Sequence, residues 1–206
     1  MTTVRQSHAP AVRPAAPADA RRIAGTLADA FVTDPVVAWF RGQVRDPQRR
    51  LEPTFLAIAR RNLERAEPLV FVAGDVDSVA VWRGVDAWRH PPGELLRSLP
   101  ANVRSFRRHM SRVLRTLAAV ERAHPEEPHY YLSALGTRTD AQGRGLGSAA
   151  LAPMLQRCDD EGMPAFLESS NPRNVPFYAR HGFERRGEIP LPKGCPPIVP
   201  MWRDPR

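Results

Sequence analysis

Gln142-Gly143-Arg144-Gly145-Leu146-Gly147, running on into Ser148-Ala149-Ala150-Leu151, is the stretch on which the reading of this chain turns. Ahead of it stands an apolar run, Tyr130-Tyr131-Leu132-Ser133-Ala134-Leu135, whose composition predicts a strand. Short polar residues follow (Thr137, Thr139, Asp140), and glycines at alternate positions then open a helix. Glycine lets a backbone approach a ligand closely, because no Cβ stands in the way. The first amides of a helix have no partner inside the helix, and its aligned peptide dipoles place about half a positive charge there. Strand, glycine turn and helix start together make a site for a phosphate or pyrophosphate.

Upstream of that stretch the apolar pattern changes period twice. Ile23, Leu27, Ala30 and Phe31 recur at helical spacing, after a short first strand at Val12-Arg13-Pro14. Asp34-Pro35 and Asp46-Pro47 each read as an N-cap with proline at the first helical position. They start one helix through Val37 and Phe40 and another to about Glu64. Leu69–Ala73 and Ser78–Trp82 are β-rich runs joined by Gly74-Asp75, a hairpin signal. Residues 85–124 return to helix, with a long one predicted over Asn102–Arg122. Downstream lie a helix (146–161), a strand (165–168), a short helix (175–180), a strand after Gly182 and a last strand at 198–202. With no internal repeat and no low-complexity linker, residues 1–206 read as one domain with a flexible start at 1–10.

Composition narrows the function classes. A hydrophobic fraction of 42% and a charged fraction of 25% are those of a globular protein. No apolar run approaches the ~18 residues of a membrane span. Met1–Ala16 lacks the apolar core of a secretory signal. Cys158 and Cys195 have no motif spacing and read as reduced thiols, with no metal, in a cytoplasmic protein. The net charge is +8, but arginines are spread along the chain and Lys193 is its only lysine. The densest cluster, Arg104, Arg107, Arg108, Arg112 and Arg115, falls on one side of a predicted helix as a solvated face. We therefore expect no nucleic-acid partner and no membrane, and a monomer or homodimer. A multiply phosphorylated small ligand suits the positive field equally well.

Three readings of the glycine stretch compete. Gly145-x-Gly147-x-x-Ala150 fits the dinucleotide-binding fingerprint. That fingerprint should open a βαβ unit at the head of a parallel sheet, yet here it lies two-thirds along the chain. A glycine turn without function leaves the alternating glycines and Gln142 unexplained. The third reading is a coenzyme A loop, and a family resemblance supports it. Gln142-x-x-Gly145-x-Gly147 resembles the pyrophosphate loop of the GNAT N-acetyltransferases, which bind acetyl-coenzyme A. Asn171-x-x-Asn174-Val175-Pro176-Phe177-Tyr178-Ala179-Arg180-His181-Gly182-Phe183 is similar to that superfamily's segment ending in Tyr-x-x-x-Gly-Phe. The likeness is closer still to the puromycin N-acetyltransferase-like members. It takes in Val79–Trp82 and then His129–Glu188, including Pro164–Ser170.

The resemblance implies an α/β fold: a central mixed, mostly antiparallel sheet flanked by helices and splayed at the coenzyme A site. It implies that the backbone of Leu135, Gly136 and Thr137 holds the acyl arm as preorganised donors to a developing oxyanion. The amides of Gln142, Gly143, Arg144, Gly145, Leu146, Gly147 and Ser148 would hold the pyrophosphate, with the Arg144 side chain toward phosphate. Asn171 and Asn174 would bond the cofactor from the far side. Tyr178 is the candidate to meet the departing sulfur. A free phenol titrates near ~10 and a thiol near ~8.5, so Tyr178 need only hydrogen-bond the sulfur.

The base takes more choosing. Many superfamily members carry a glutamate on the strand before the loop, where this chain has Tyr131 and Ser133. Glu168, at the end of the next strand, is the substitute, able to accept a proton directly or through water. Glu126, Glu127, His129 and His181 are reserves, each read as a surface or strand-edge residue. The acceptor pocket is expected from residues 34–40, Phe55, Trp82, Trp88 and the 85–124 helices, whose aromatics suit a planar or hydrophobic amine, although each of these residues singly reads first as ordinary core packing. The expected activity is acetyl transfer from acetyl-coenzyme A to a primary amine of a small molecule, with an aminonucleoside antibiotic as its most specific form. The alternatives are acetylation of a protein or peptide amine, and a non-catalytic acyl-coenzyme A-binding module.

Overall fold

The computed structural model describes residues 10–85, 87–88 and 92–206, with backbone alone at 92–98 and 108. The flexible start expected at 1–10 falls almost wholly outside the described residues. Among the described residues, seven strands form one sheet in the order β1 (Val12–Pro14), β2 (Val70–Ala73), β3 (Ser78–Arg83), β4 (Tyr130–Thr137), β5 (Ala165–Ser169), β7 (Val199–Arg203), β6 (Glu184–Arg185). Every neighbouring pair is antiparallel except β4 with β5.

The helices are α1 (Ala20–Ala30), α2 (Pro35–Arg41), α3 (Pro47–Leu63), α4 (Pro92–Phe106), α5 (Met110–Ala123), α6 (Leu146–Asp160) and α7 (Val175–Arg180). Two of them start as their sequences dictate. The Asp34 carboxylate accepts from the amides of Val36 and Val37 at 3.0 and 2.9 Å, and Asp46 accepts from Arg49 N at 3.1 Å. Each cap is followed by proline, whose missing N–H leaves nothing unsatisfied at that position.

The sheet carries a core on each face. Val70, Val72, Val79 and Val81 turn toward Ile23, Leu27, Leu51 and Phe55 of α1 and α3. Leu69, Ala73, Ala80 and Trp82 turn the other way, against Ala150, Leu151 and Met154 of α6. That is the period-two alternation of a strand covered on both sides, and all six residues of β3 are buried. Close approach of α1 to β4 depends on Gly136, where a Cβ would lie 2.9 Å from Ala30 Cβ.

Two expectations fail here. The helix predicted over Asn102–Arg122 is broken at a short 3-10 turn, Arg107–His109, because Arg107 takes φ +42° and interrupts the hydrogen-bond ladder. The five arginines therefore share no single helix face. Arg112 instead lies over the Trp39 ring, 5.1 Å from its centroid, and donates to Trp39 O. Trp82 and Phe55 are core residues rather than pocket walls, Phe55 packing on Phe31 with ring centroids 5.2 Å apart.

One feature of the sheet positions everything functional. β4 and β5 pair only at Tyr130–Ala165, Tyr131–Phe166 and Leu132–Leu167. Beyond Leu132, β4 follows β3 as far as Thr137, while β5 follows β7 as far as Ser169. A bulge sits at the divergence: Val81 pairs with Ala134 and Trp82 with Leu132, leaving Ser133 extra, its hydroxyl donating to Val81 O at 3.0 Å. An extra residue on one strand bends and twists it away from its neighbour. The sheet opens there into a wedge.

Candidate functional site

A cleft of about 640 Å³ occupies one side of the wedge, lined by Leu135, Gly136 and Thr137 of β4, by Gln142–Ser148 except Arg144, and by Asn171, Asn174, Phe177 and Tyr178. The loop reaches it through two left-handed glycines, Gly143 at φ +76° and Gly145 at φ +77°. Such a backbone costs other residues about 1–2 kcal/mol, which accounts for glycine at both positions. Gly145 caps α6 without a side chain, and its carbonyl accepts from Ala149 N at 3.0 Å. The amides of Leu146, Gly147 and Ser148 are thus the orphan donors of a helix start, and all three residues line the cleft. Gln142 Nε2 donates to Thr137 O at 3.2 Å and ties the loop to the end of β4.

At Gly147 a Cβ would meet Thr137 and Phe177 at ordinary distances of 3.4 and 3.5 Å, so the protein alone does not demand glycine there. The position lines the cleft. Arg144 is exposed and is not among the lining residues. The basic side chains on the wall are Arg173 and Arg180, which the sequence reading passed over. Asn171 is partly committed: its Oδ1 accepts from Arg173 N at 3.1 Å and caps the 3-10 turn at 172–174. Asn174 makes no such cap. Ser148 Oγ lies 2.9 Å from His181 Nε2, which engages one of the reserve residues as a support for the loop.

On the other side of the wedge lies a second pocket, of about 280 Å³. Its walls include Asp34, Val37 and Phe40 from α2, Leu117 and Val120 from α5, and Tyr131 and Glu168 from the two diverging strands. Leu135, Asn171, Asn174 and Tyr178 line both cavities. With Ala30, these residues form the seam where the two cavities meet, and Tyr178 is part of it. Its phenol is held above the ordinary range by burial and then by the charge of Asp34. The Asp34 carboxyl is itself raised by burial, against three hydrogen bonds that favour its ionised form. Of the expected pocket residues, α2 and α5 contribute and Trp88 does not.

Trp88 stacks instead on His124, ring centroids 4.0 Å apart, behind Glu168. Glu168 Oε1 is 3.0 Å from His124 Nδ1, and His124 Nε2 is 3.0 Å from His129 Nε2. His129 was read as a strand-edge reserve; it is 1% exposed and sits under Phe166 and Trp202. Burial pushes its imidazolium below the ordinary range. Tyr131 is held well above a free phenol by burial, and next by the charge of the Glu168 carboxylate. Glu126 and Glu127 are exposed, and the Glu127 carboxylate pairs with Arg186. Both cysteines are free; burial lifts the Cys158 thiol to about 12.

Comparison with known proteins places this geometry. Residues 78–183, which contain β3, the whole wedge and α7, match the sequence model of the acetyltransferase (GNAT) family. The chain is 28% identical over 200 residues to an uncharacterized N-acetyltransferase of Schizosaccharomyces pombe, covering 91% of this chain and 80% of the relative. Among solved structures it is similar to a protein of Corynebacterium glutamicum described as histone acetyltransferase HPA2 and related acetyltransferase. That match has 28% identity, a TM-score of 0.69, and 97% and 98% of the two chains covered. A polyamine N-acetyltransferase of Drosophila melanogaster shares the fold, with a TM-score of 0.63 at 16% identity over 95% of this chain and 100% of the other.

Proposed function

The chain belongs to the acetyltransferase (GNAT) family, whose members take their acetyl group from acetyl-coenzyme A, and we propose that it transfers that group to a primary amine of a small molecule. The observation that carries the reading is the meeting of the two cavities at Tyr178 in the opened β4–β5 wedge. One cavity is lined by a helix start and a free strand edge, the other by apolar side chains and a buried carboxylate.

In this reading the helix-start amides from Gln142 to Ser148 hold the pyrophosphate, with Arg173 and Arg180 rather than Arg144 as the nearby cations. The open edge of β4 at Leu135–Thr137 receives the pantetheine arm and the thioester oxygen, where fixed amides stabilise the developing oxyanion. Asn174 and the free end of the Asn171 amide face the cofactor. The amine enters from the smaller pocket and loses a proton to Glu168, and its lone pair attacks the thioester carbon. Tyr178 donates a hydrogen bond to the departing sulfur. An ordinary phenol lies about 2 kcal/mol uphill of a thiol as a proton donor, and burial beside Asp34 raises Tyr178 further, so it stabilises the thiolate without surrendering its proton.

The apolar walls Val37, Phe40, Leu117 and Val120 favour an amine borne on a hydrophobic or planar body. An aminonucleoside antibiotic is the specific acceptor suggested by the sequence likeness to puromycin N-acetyltransferase-like proteins. The polyamine N-acetyltransferase that shares the fold makes a small amine the wider class. The same reading takes the chain as one domain working in the cytoplasm. A thiol-release assay with acetyl-coenzyme A across a panel of amines, puromycin included, tests it. Cofactor-dependent release with a small amine is expected; cofactor binding without release for any amine would leave only a binding module.

A further inference from the structure

Resting on the reading of Glu168 as proton acceptor, we propose that the base is a three-residue array, Glu168–His124–His129, in which two buried histidines act through Glu168 to draw in and hold the amine's proton. The direction of each hydrogen bond follows from one fixed point. His129 Nδ1 is 2.6 Å from Glu127 O, and a carbonyl only accepts, so Nδ1 carries hydrogen. Neutral His129 then presents a lone pair at Nε2, and His124 Nε2 must donate to it across 3.0 Å. Neutral His124 is left with a lone pair at Nδ1, 3.0 Å from Glu168 Oε1.

If Glu168 is ionised and both rings are neutral, two lone pairs face each other in a buried site. One further proton completes all three bonds. It sits on Glu168 or on His124, because burial disfavours the charged ring of His129. A buried group left unpaired is costly, and uptake of the amine's proton relieves that cost.

The surroundings make the array a reservoir rather than a wire. Side chains of His124 and Glu168 are 3% and 6% exposed, and His129 ends at a carbonyl that takes no proton. Trp88, Phe166 and Trp202 cover the rings. Among the described residues, the charged and titratable groups around the array are Tyr131, on which the charge of Glu168 acts; Arg83, whose charge acts on Tyr131 and whose guanidinium donates to Trp88 O; and Arg186, over Trp202 and paired with the Glu127 carboxylate. Glu168 alone of the three lines the pocket, so the proton enters and leaves through it. In the step itself an ammonium N–H bond breaks, an O–H bond forms at Glu168, and the electron pair stays on nitrogen as the nucleophile. After acetyl transfer, Glu168 returns the proton to water entering with product release.

The array is tested without turnover by 15N-histidine NMR, together with the infrared difference between wild type and Glu168→Gln, at pH values below the rising limb of kcat/KM, where the array still holds its proton. Wild type should show either one imidazolium or one protonated carboxyl. Glu168→Gln should show neither, because its amide completes the chain by donating to His124 Nδ1. Two neutral rings beside an ionised Glu168 in wild type would overturn the proposal. In turnover, His124→Asn replaces the ring with a donor that does not titrate. The rising limb of kcat/KM should then move to lower pH and the plateau fall about tenfold, with KM for acetyl-coenzyme A unchanged. A limb and plateau equal to wild type would overturn it as well. If Glu168→Gln keeps the wild-type rate, the acetyl-transfer role of Glu168 fails, whatever the spectra say of the array.

Discussion

Ser170 donates its hydroxyl hydrogen to Asp34 Oδ2 at 2.6 Å, joining the start of α2 to the end of β5 across 136 residues of chain. The other carboxylate oxygen of Asp34 accepts the two amides that begin α2. One side chain thus caps a helix, clamps the wall of the smaller pocket and places its charge near Tyr178. Asp34→Ala should lose a cap worth about 0.5–2 kcal/mol, and calorimetry should show Tm falling by several degrees. Asp34→Asn keeps an acceptor for the helix amides while removing the charge. It should bring the Tyr178 phenol down, read as an earlier tyrosinate absorbance in a spectrophotometric pH titration; an unmoved titration would mean that Asp34 does not act on Tyr178.

Tyr178→Phe keeps the ring against Phe177 and Phe183 and deletes only the hydroxyl. We expect kcat to fall about 10- to 100-fold with little change in KM for acetyl-coenzyme A, because the lost hydrogen bond belongs to the transition state. Initial-rate kinetics by thiol release would measure both. A mutant that loses KM and keeps kcat would make Tyr178 a cofactor contact instead.

Gly145→Ala forces a Cβ onto φ +77° where no neighbouring atom lies within 4 Å, so strain rather than collision is the cost. The fold should lose about 1–2 kcal/mol. Coenzyme A affinity by calorimetric titration should fall as well, since the α6 amides shift. Gly147→Ala, where φ is ordinary, should weaken the cofactor while leaving stability nearly unchanged.

The Arg13 guanidinium holds Asp19 at about 2, through two hydrogen bonds of 2.7 and 3.0 Å that tie β1 to the turn before α1. A depressed carboxylate stabilises the fold above its unfolded value and ceases to do so as pH falls through its folded value. The loss is therefore expected between about pH 4 and pH 2. Arg13 is half exposed, and solvent screening holds the contribution to about 1 kcal/mol or less. Denaturant titrations of wild type and Asp19→Asn should differ at pH 6 and converge near pH 2.

Much of this molecule is legible in local chemistry. The Asp-Pro pairs at 34–35 and 46–47 start helices wherever they stand, because the cap and the proline act within one turn. Strand alternation in Val70–Arg83 and the left-handed demand at Gly143 and Gly145 are equally local. The broken helix at Arg107–His109 was not legible, since apolar spacing continues across it and only a single backbone angle departs. Whether Trp82 and Phe55 belong to pocket or core is open in the sequence for a related reason: an aromatic side chain on a strand or helix carries no local mark of which face is core.

The sequence therefore established the glycine loop and helix start at 142–148, the strand before it and the Asn171–Phe183 segment, all of which are short-range patterns of backbone need. Assembly of the site required the fold. His124 and His129 are five residues apart on the chain, yet their pairing with Glu168 arises because β4 and β5 run parallel and register Tyr131 beside Phe166. Asp34 meets Ser170, and Arg173 and Arg180 reach the cleft wall, through the same divergence of two strands after Leu132. Contacts between distant segments depend on how elements pack, and the residue types alone do not specify that packing.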